Sequence, residues 1–201
     1  MTTYATLKTD IADYLGQDDL TSQIATFVRL CEADLRRSVR VRDMETSTTL
    51  TFSTQSIALP TAFIAARRLY INADNRDLTF LSPERFYDSQ VYSQQGTPTT
   101  YTIEGNNIIV APYSTSIDGY LLYYAAYDAL SADSDTNWIL TNAYDVYLYC
   151  SLMHAQGFAQ DDEQAAKWRA AYQYAVEQLN RMENMARFSG SALIRTGRPT
   201  P

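Results

Sequence analysis

The sequence predicts an α+β protein that is mainly α: a bundle of about four helices, two N-terminal and two C-terminal, with an inserted antiparallel β-rich region and a flexible C-terminal arm. Apolar residues recur at helical spacing over residues 1–45 and 136–188, which predicts the helical bundle. Residues 46–130 instead contain short stretches of alternating apolar and polar side chains, the pattern of half-buried strands, together with a short helix. Residues 189–201 are rich in Gly, Ser and Pro and have no acidic residue, so we expect a disordered arm.

Two amphipathic helices are predicted at the start of the chain. Leu7, Ile11, Tyr14 and Leu15 occur at helical spacing over Thr3–Leu15, and Gly16 stands at a typical C-terminal cap position. The apolar stripe of the second helix comprises Ile24, Phe27, Cys31, Leu35 and Val39. Neither helix can bury its stripe alone, so we expect the two to pack as an antiparallel pair.

Short alternating segments bounded by turn residues predict the strands of the middle region. These segments are Thr46–Phe52, Gln55–Leu59, Arg67–Ala73, Leu78–Leu81, Thr99–Glu104, Ile108–Ala111 and Gly119–Tyr127. Thr61–Ala66 predicts one helical turn. Ser82 followed by Pro83 predicts the start of a short helix that runs to about Val91.

Two longer helices are predicted after Thr136. Asn142 is the expected cap of a helix with apolar residues on more than one side, which indicates the central helix of the bundle. The last helix starts in the acidic segment Asp161–Glu163 and extends to about Phe188. Its predicted core stripe comprises Ala165, Trp168, Tyr172, Ala175, Leu179, Met182 and Ala186.

The amino-acid composition and net charge of the chain argue against some classes of function and favour others. The chain has 201 residues and a net charge of −7, which argues against a general nucleic-acid binder. It has no apolar run long enough for a transmembrane helix and no N-terminal signal pattern, so we expect a soluble protein made in the cytoplasm. Fourteen Arg against two Lys, together with sixteen Tyr, favour a protein with a large contact surface.

No motif predicts a catalytic, cofactor or metal site. Cys31 and Cys150 are far apart in the sequence and no CxxC pair occurs, so we expect two buried cysteines and no zinc site. His154 is interpreted as a core or interhelical histidine that donates one hydrogen bond. Three acidic clusters could supply the paired carboxylates of a glycosidase, but we interpret them as helix caps and solvated loops. They are Asp18-Asp19, Asp133/Asp135 and Asp161-Asp162-Glu163.

The most concentrated positive feature is an arginine cluster on the second helix. Its members are Arg29, Arg36, Arg37, Arg40 and Arg42. Acidic residues are interleaved with them, which is typical of local ion pairs. Three interpretations remain open at this point: solvated or intrachain pairing, contact with a partner protein, and contact with DNA.

Several segments, in this order, resemble the adaptor or head-completion proteins of tailed bacteriophages. The opening is TYATLKTDIADYLGQDDLTSQIATFVRLCEADLRRSVRVRDMETSTTLTF. The later segments are IALPTAFIAARRLYIN, LTFLSPERFY, PTTYTIEGNNIIVAP and WILTNAYDVYLYCSLMHAQGFAQDDEQAAKWRAAYQYAVEQLNR. The resemblance extends from Thr3 to about Gly190 and lies in the order and spacing of the segments rather than in one motif.

The resemblance implies a structural virion protein with no catalytic activity and no cofactor. Such proteins form a ring, typically of twelve subunits, beneath the portal in the neck of the virion. The ring extends the DNA channel, helps retain the genome and is a platform for tail nozzle or fibre proteins. We therefore expect assembly in the host cytoplasm, proximity to packaged DNA and no membrane contact.

The resemblance also implies roles for particular residues. Carried over by position, the arm binds the portal through Leu193, Ile194, Arg195 and Arg198. A possible subunit or portal interface comprises Arg29, Arg36, Arg37 and Arg40. The alternatives are another phage neck or tail completion protein, a virion-associated cell-wall glycosidase, and a host-side regulatory or nucleic-acid protein.

Overall fold

The computed structural model describes residues 2–16, 21–72, 75–89, 91–114 and 116–187. The described residues divide into two compact units. The helical unit contains those up to Asp43 and from Tyr127 onward, and the β unit contains Met44–Ala126.

The elements are named here in chain order. The helices are α1 (Tyr4–Leu15), α2 (Thr21–Ser38), α3 (Pro83–Tyr87), α4 (Trp138–Asn142), α5 (Tyr144–Phe158) and α6 (Asp162–Arg187). The strands are β1 (Glu45–Phe52), β2 (Ser56–Ala58), β3 (Phe63–Ile71), β4 (Arg76–Asp77), β5 (Thr79–Phe80), β6 (Thr100–Glu104), β7 (Asn107–Ala111) and β8 (Ile117–Ala125).

The predicted fold class, a mainly α bundle of about four helices, is wrong. The described residues are 47% helical and 26% strand, and they form six helices and two four-stranded sheets. The reason is that the alternating middle region is more than a small insertion in a helical bundle. Its strands bury an apolar cluster of their own, so the chain has a sheet-rich part comparable to its helical part.

The helical unit is organised around α5, which packs against α1, α2, α4 and α6. Eight of the fifteen residues of α5 are buried, so it has little face left for water. The first helix has the predicted ends: the Thr3 side chain accepts a hydrogen bond from the Thr6 N–H, and Gly16 adopts φ 61°, the left-handed conformation of a C-terminal cap.

Two predictions about the C-terminal helices are wrong. Asn142 does not cap the long helix but is the last residue of the short helix α4. The start of α4 is capped by the Asn137 side chain, which accepts a hydrogen bond from the Leu140 N–H at 2.9 Å. On α6, Met182 is 66% exposed and Glu183 is buried in its place. The carboxylate of Glu183 receives hydrogen bonds from Arg42, which allows an acid to occupy the core face.

The β unit contains two sheets with strand orders β1-β8-β3-β4 and β2-β7-β6-β5. Strand β8 is central in the first sheet, antiparallel to both β1 and β3. Thr61–Ala66 is not a helical turn: residues from Phe63 onward belong to β3, whose register against β8 shifts twice. Such irregularities interrupt the two-residue alternation by which a strand is recognised in sequence.

One apolar cluster fills the core of the β unit. Its buried members are Leu50, Phe52, Leu59, Leu69, Ile71, Leu78, Tyr101, Ile108, Val110, Leu121 and Tyr123. Gly119 on β8 is required by close packing, because a Cβ atom there would lie 2.5 Å from Cε2 of Phe52. The ring of Phe52 on β1 therefore packs against the neighbouring strand β8 without room for an added methyl group.

No helix in the described part of the chain is both long and apolar enough to span a membrane.

Candidate functional site: the outer face of α2 and the adjoining pocket

Helix α2 has an apolar face and, on its opposite side, a basic face. Its core residues are Ile24, Phe27, Val28, Cys31 and Leu35, all nearly inaccessible to water. The opposite side, which we call the α2 outer face, is exposed and comprises Thr26, Arg29, Leu30, Ala33, Arg36 and Arg37. Leu30 is 46% exposed, so this face combines positive charge with an apolar contact.

Three of the five clustered arginines form an ion pair or donate to backbone carbonyl oxygens in the described part of the chain. Arg37 forms an ion pair with Asp34, one turn away on the same helix. Arg40 donates to the backbone carbonyl oxygens of Arg36 and Val39, at 2.8 and 2.6 Å, at the C-terminal end of α2. Arg42 forms an ion pair with Glu183, with 3.2 Å between its Nε and the carboxylate oxygen.

The other two arginines of the cluster direct their charge outward. Among the described residues, the side chain of Arg29 makes one hydrogen bond, which it donates to the hydroxyl of Thr26 at 3.5 Å. Within the described part of the chain, the side chain of Arg36 makes no hydrogen bond or ion pair. Seven residues separate the two, which is nearly two helical turns, so they lie on the same side of α2. Arg29 and Arg36 are therefore the members most available to a partner.

A pocket of about 370 Å³ lies beside this face, between α2, α5 and α6. Its lining residues are Asp34, Arg37, Ser38, Met153, His154, Arg169, Tyr172 and Gln173. The hydroxyls of Ser38 and Tyr172 are hydrogen-bonded at 3.1 Å, and burial raises the pKa of the Tyr172 phenol, which keeps it neutral.

His154 lies at the wall of this pocket and is bonded to Asp34. Its Nε2 is 2.9 Å from Oδ2 of Asp34, and each side chain is 23% exposed. The sequence correctly predicted an interhelical histidine with a hydrogen-bond partner. It did not identify Asp34, because 120 residues separate the pair along the chain.

The two cysteines meet directly behind His154. Cys31 and Cys150 are fully buried, as predicted, and they form a disulfide with Cα atoms 5.4 Å apart. The pairing was not predicted. The structure also brings ligand atoms of Asp34, Cys150 and His154 within 4.8 Å of one another. The sequence signal for this group is the spacing of its residues on two helices: Cys-x2-Asp from Cys31 and Cys-x3-His from Cys150.

The acidic clusters that lie in the described residues form hydrogen bonds to nearby backbone N–H groups and one ion pair with a distant residue. Asp135 accepts hydrogen bonds from the backbone N–H groups of Ser131 and Ala132, and these bonds lower the pKa of its carboxyl. Asp133 pairs with Lys8. Asp161 accepts a hydrogen bond from the Gln164 N–H at 3.1 Å. Asp18-Asp19 lies outside the described residues.

A second exposed surface lies on α6. Tyr174, Met182 and Met185 are 65%, 66% and 70% exposed, and we call these three residues the α6 outer face. Their spacing places them along one side of the helix. The arm residues predicted to bind a partner, Leu193, Ile194, Arg195 and Arg198, lie outside the described residues.

Two comparisons with known proteins bear on this arrangement. A family model described as SU10 adaptor protein matches residues 2–196, nearly the whole chain. Among curated proteins, none matches.

Proposed function

Because the chain belongs to the SU10 adaptor protein family, which comprises phage head-to-tail adaptors, we propose that it forms a ring beneath the portal. In this proposal the ring extends the DNA channel, helps retain the packaged genome and receives the tail proteins. Family membership alone implies a more general role. The protein is a structural component of a bacteriophage virion, located at the neck, where adaptors contact portal and tail components.

The observation that carries the proposal is the family match over residues 2–196. The exposed faces of the helical unit support it. Exposed arginine and aromatic or Met side chains are typical of protein interfaces, and the α2 and α6 outer faces present both kinds. A head-to-tail contact between unlike faces closes into a ring when the rotation between neighbouring subunits allows it.

We further propose that residues 189–201 bind the portal. Leu193 and Ile194 would supply an apolar anchor, and Arg195 and Arg198 would supply charged contacts. A segment that becomes ordered only on binding loses conformational entropy at that step, so a short arm needs such anchors.

The net negative charge of the chain suits a DNA channel. Each phosphate neutralised by Lys or Arg adds to DNA affinity through counterion release. A passage through which DNA slides should hold few such contacts, and the chain has a net charge of −7.

The experiment for the arm is a truncation that ends at Phe188. We expect this variant to retain the circular dichroism spectrum and melting temperature of the full chain, and to lose binding to purified portal protein. Electron microscopy of virions carrying a labelled copy should place the label at the neck. Undiminished portal binding contradicts the arm assignment, and a label elsewhere in the virion contradicts the adaptor role.

A surface variant tests the α2 outer face separately from the arm. Arg29→Ala with Arg36→Ala should weaken ring or portal association and leave the melting temperature within about 2 °C, because neither side chain supports the fold. Arg85→Ala is the matched control: it is an exposed arginine on α3 of the β unit and belongs to neither outer face. If the double variant associates as the control does, the α2 outer face is only a solvated surface.

A further inference from the structure

Two helices of the helical unit direct two potential metal ligands each toward one point. Cys31 and Asp34 lie three residues apart on α2, and Cys150 and His154 lie four residues apart on α5, the spacings that share a helix face. Cys150 is bonded to Cys31. The potential ligand atoms of Cys150, Asp34 and His154 all lie within 4.8 Å of one another. Three ligand atoms therefore converge, and Cys31, which lies outside that group, is held next to it by its bond to Cys150, although 119 residues separate the two cysteines.

We propose that the reduced chain binds one Zn²⁺ ion through Cys31, Asp34, Cys150 and His154, and that this ion links α2 to α5. Two thiolates, an imidazole and a carboxylate are ligands of the types that hold zinc in four-coordinate sites. The disulfide seen here is the oxidised form of the same pair. Since the thiolate is the sulfur species that binds metal, the disulfide form lacks two of the four ligands.

The spacing of the two outer ligands suits this ion. Zinc bonds of about 2.0–2.1 Å at a tetrahedral angle separate a nitrogen and an oxygen ligand by about 3.3 Å. Nε2 of His154 and Oδ2 of Asp34 are 2.9 Å apart. An increase of a few tenths of an ångström, within reach of side-chain rotation, therefore makes room for a shared ion.

The charges around the site also balance. Two thiolates and one carboxylate exceed the charge of Zn²⁺ by one negative unit. Arg37, paired with Asp34, supplies one positive charge next to the ligand set. A group that pairs with a ligating carboxylate also holds its orientation, which is the usual role of the residues surrounding a metal site.

The pocket between α2, α5 and α6 provides access to the site. Asp34 and His154 line this cavity of about 370 Å³ and are partly exposed, while both sulfur atoms lie in the buried interior. An ion entering from solvent would meet the carboxylate and imidazole first. The buried sulfurs would then replace water as its remaining ligands.

The test uses the full chain, reduced with a phosphine, stripped of metal and titrated with Co²⁺ as a spectroscopic probe for Zn²⁺. We expect one Co²⁺ per chain, with the thiolate-to-metal charge-transfer band and the d–d bands of a tetrahedral ion, and displacement of Co²⁺ by Zn²⁺. Asp34→Asn and His154→Gln should each weaken binding by about 100-fold or more, since loss of a group that merely supports a ligand already costs 10–100-fold.

Two control variants match the changes without touching the proposed ligands. Asp13→Asn removes an exposed carboxylate from α1, and Gln173→Ala alters the pocket wall. Both should bind Co²⁺ as the unchanged chain does. The chain with its disulfide intact is a third control and should not produce the charge-transfer band.

Three results would overturn the proposal. The first is a reduced, unchanged chain that shows no thiolate charge-transfer band, an outcome that does not depend on whether any variant folds. The second is equal binding by the oxidised and reduced chains. The third is unchanged binding by folded Asp34→Asn and His154→Gln. Since the adaptor proposal does not depend on this ion, none of these results bears on portal binding.

Discussion

The helical unit and the β unit both contain polar contacts between residues distant in sequence, but they place them differently. In the β unit these contacts join neighbouring strands, as between Thr51 and Asp118, whereas in the helical unit they join separate helices and loops. In the β unit, the side chains that meet across the sheets form one apolar cluster, and backbone bonds between strands satisfy the polar groups of the main chain. In the helical unit, apolar packing around α5 is accompanied by polar contacts between residues distant in sequence. Examples are Tyr144 with Asp10, His154 with Asp34 and Arg42 with Glu183.

The difference follows from geometry and bears on function. Packed helices are about 8–10 Å apart, and their backbone bonds are satisfied internally, so long polar side chains are free to bridge between them. Strands pair through the backbone at about 4.8 Å, which leaves their side chains to fill the space between sheets. The pocket and the Cys/His/Asp group accordingly lie in the helical unit.

The largest expected effect is in the β unit, on truncating its central aromatic side chain. Phe52→Ala should lower the free energy of unfolding by about 3–5 kcal/mol, because Phe52 is fully buried and close packing at Gly119 leaves its surroundings little room to relax. Urea unfolding followed by circular dichroism measures this loss. Phe80→Ala is the control: Phe80 is 54% exposed, and its truncation should cost less than about 1 kcal/mol. Equal losses would contradict the assignment of Phe52 to the core.

A smaller effect is expected when a polar bridge of the helical unit is removed. Glu183→Ala should cost about 1–3 kcal/mol, since the Arg42 backbone N–H, 2.9 Å from Oε2 of Glu183, loses its acceptor. Thermal unfolding of matched variants measures the difference. Glu177→Ala removes an exposed partner of Arg181 on the same helix and should change stability by less than about 0.5 kcal/mol. If the two variants are equally stable, the Arg42–Glu183 contact adds nothing beyond a surface pair.

Local features of the fold could be predicted from the sequence because short-range physics determines them. The stripe of Leu7 and Ile11 and the C-terminal cap at Gly16 each depend on residues within one or two turns. The failures have equally specific causes. The register shifts of β3 disrupted the alternation expected of a strand, so residues 63–66 were wrongly predicted as helical.

The candidate site was less predictable because it is assembled from distant residues. The helical period placed Met182 on the core face of α6, but it could not show that Arg42 would pair with Glu183 and so allow an acid to be buried there. The same limit applies to Cys31 and Cys150, whose individual burial was predicted correctly. Their pairing depends on how α2 and α5 pack, and no local pattern encodes that contact.

The smallest expected effect is a pH dependence at a polar contact of the helical unit, between Glu32 on α2 and the chain before α4. Burial raises the pKa of Glu32 above its ordinary value of about 4.5, although a hydrogen bond from the Leu130 N–H at 2.8 Å opposes the shift. The native state therefore holds this proton more tightly than the unfolded state does. The stability contributed by Glu32 is fully present below pH 4.5, and it is lost as the pH rises through the raised pKa.

Glu32→Gln isolates this dependence, because the amide oxygen still accepts the Leu130 N–H bond but carries no charge. The stability of the variant relative to the unchanged chain should therefore increase between pH 4 and pH 7, by less than about 1 kcal/mol because water screens the partly exposed carboxyl. Chemical unfolding at a series of pH values measures this difference. A flat profile for Glu32→Gln would mean that the bond to Leu130 offsets the whole cost of burying the charge, and that polar contacts in the helical unit carry no net desolvation cost at this position.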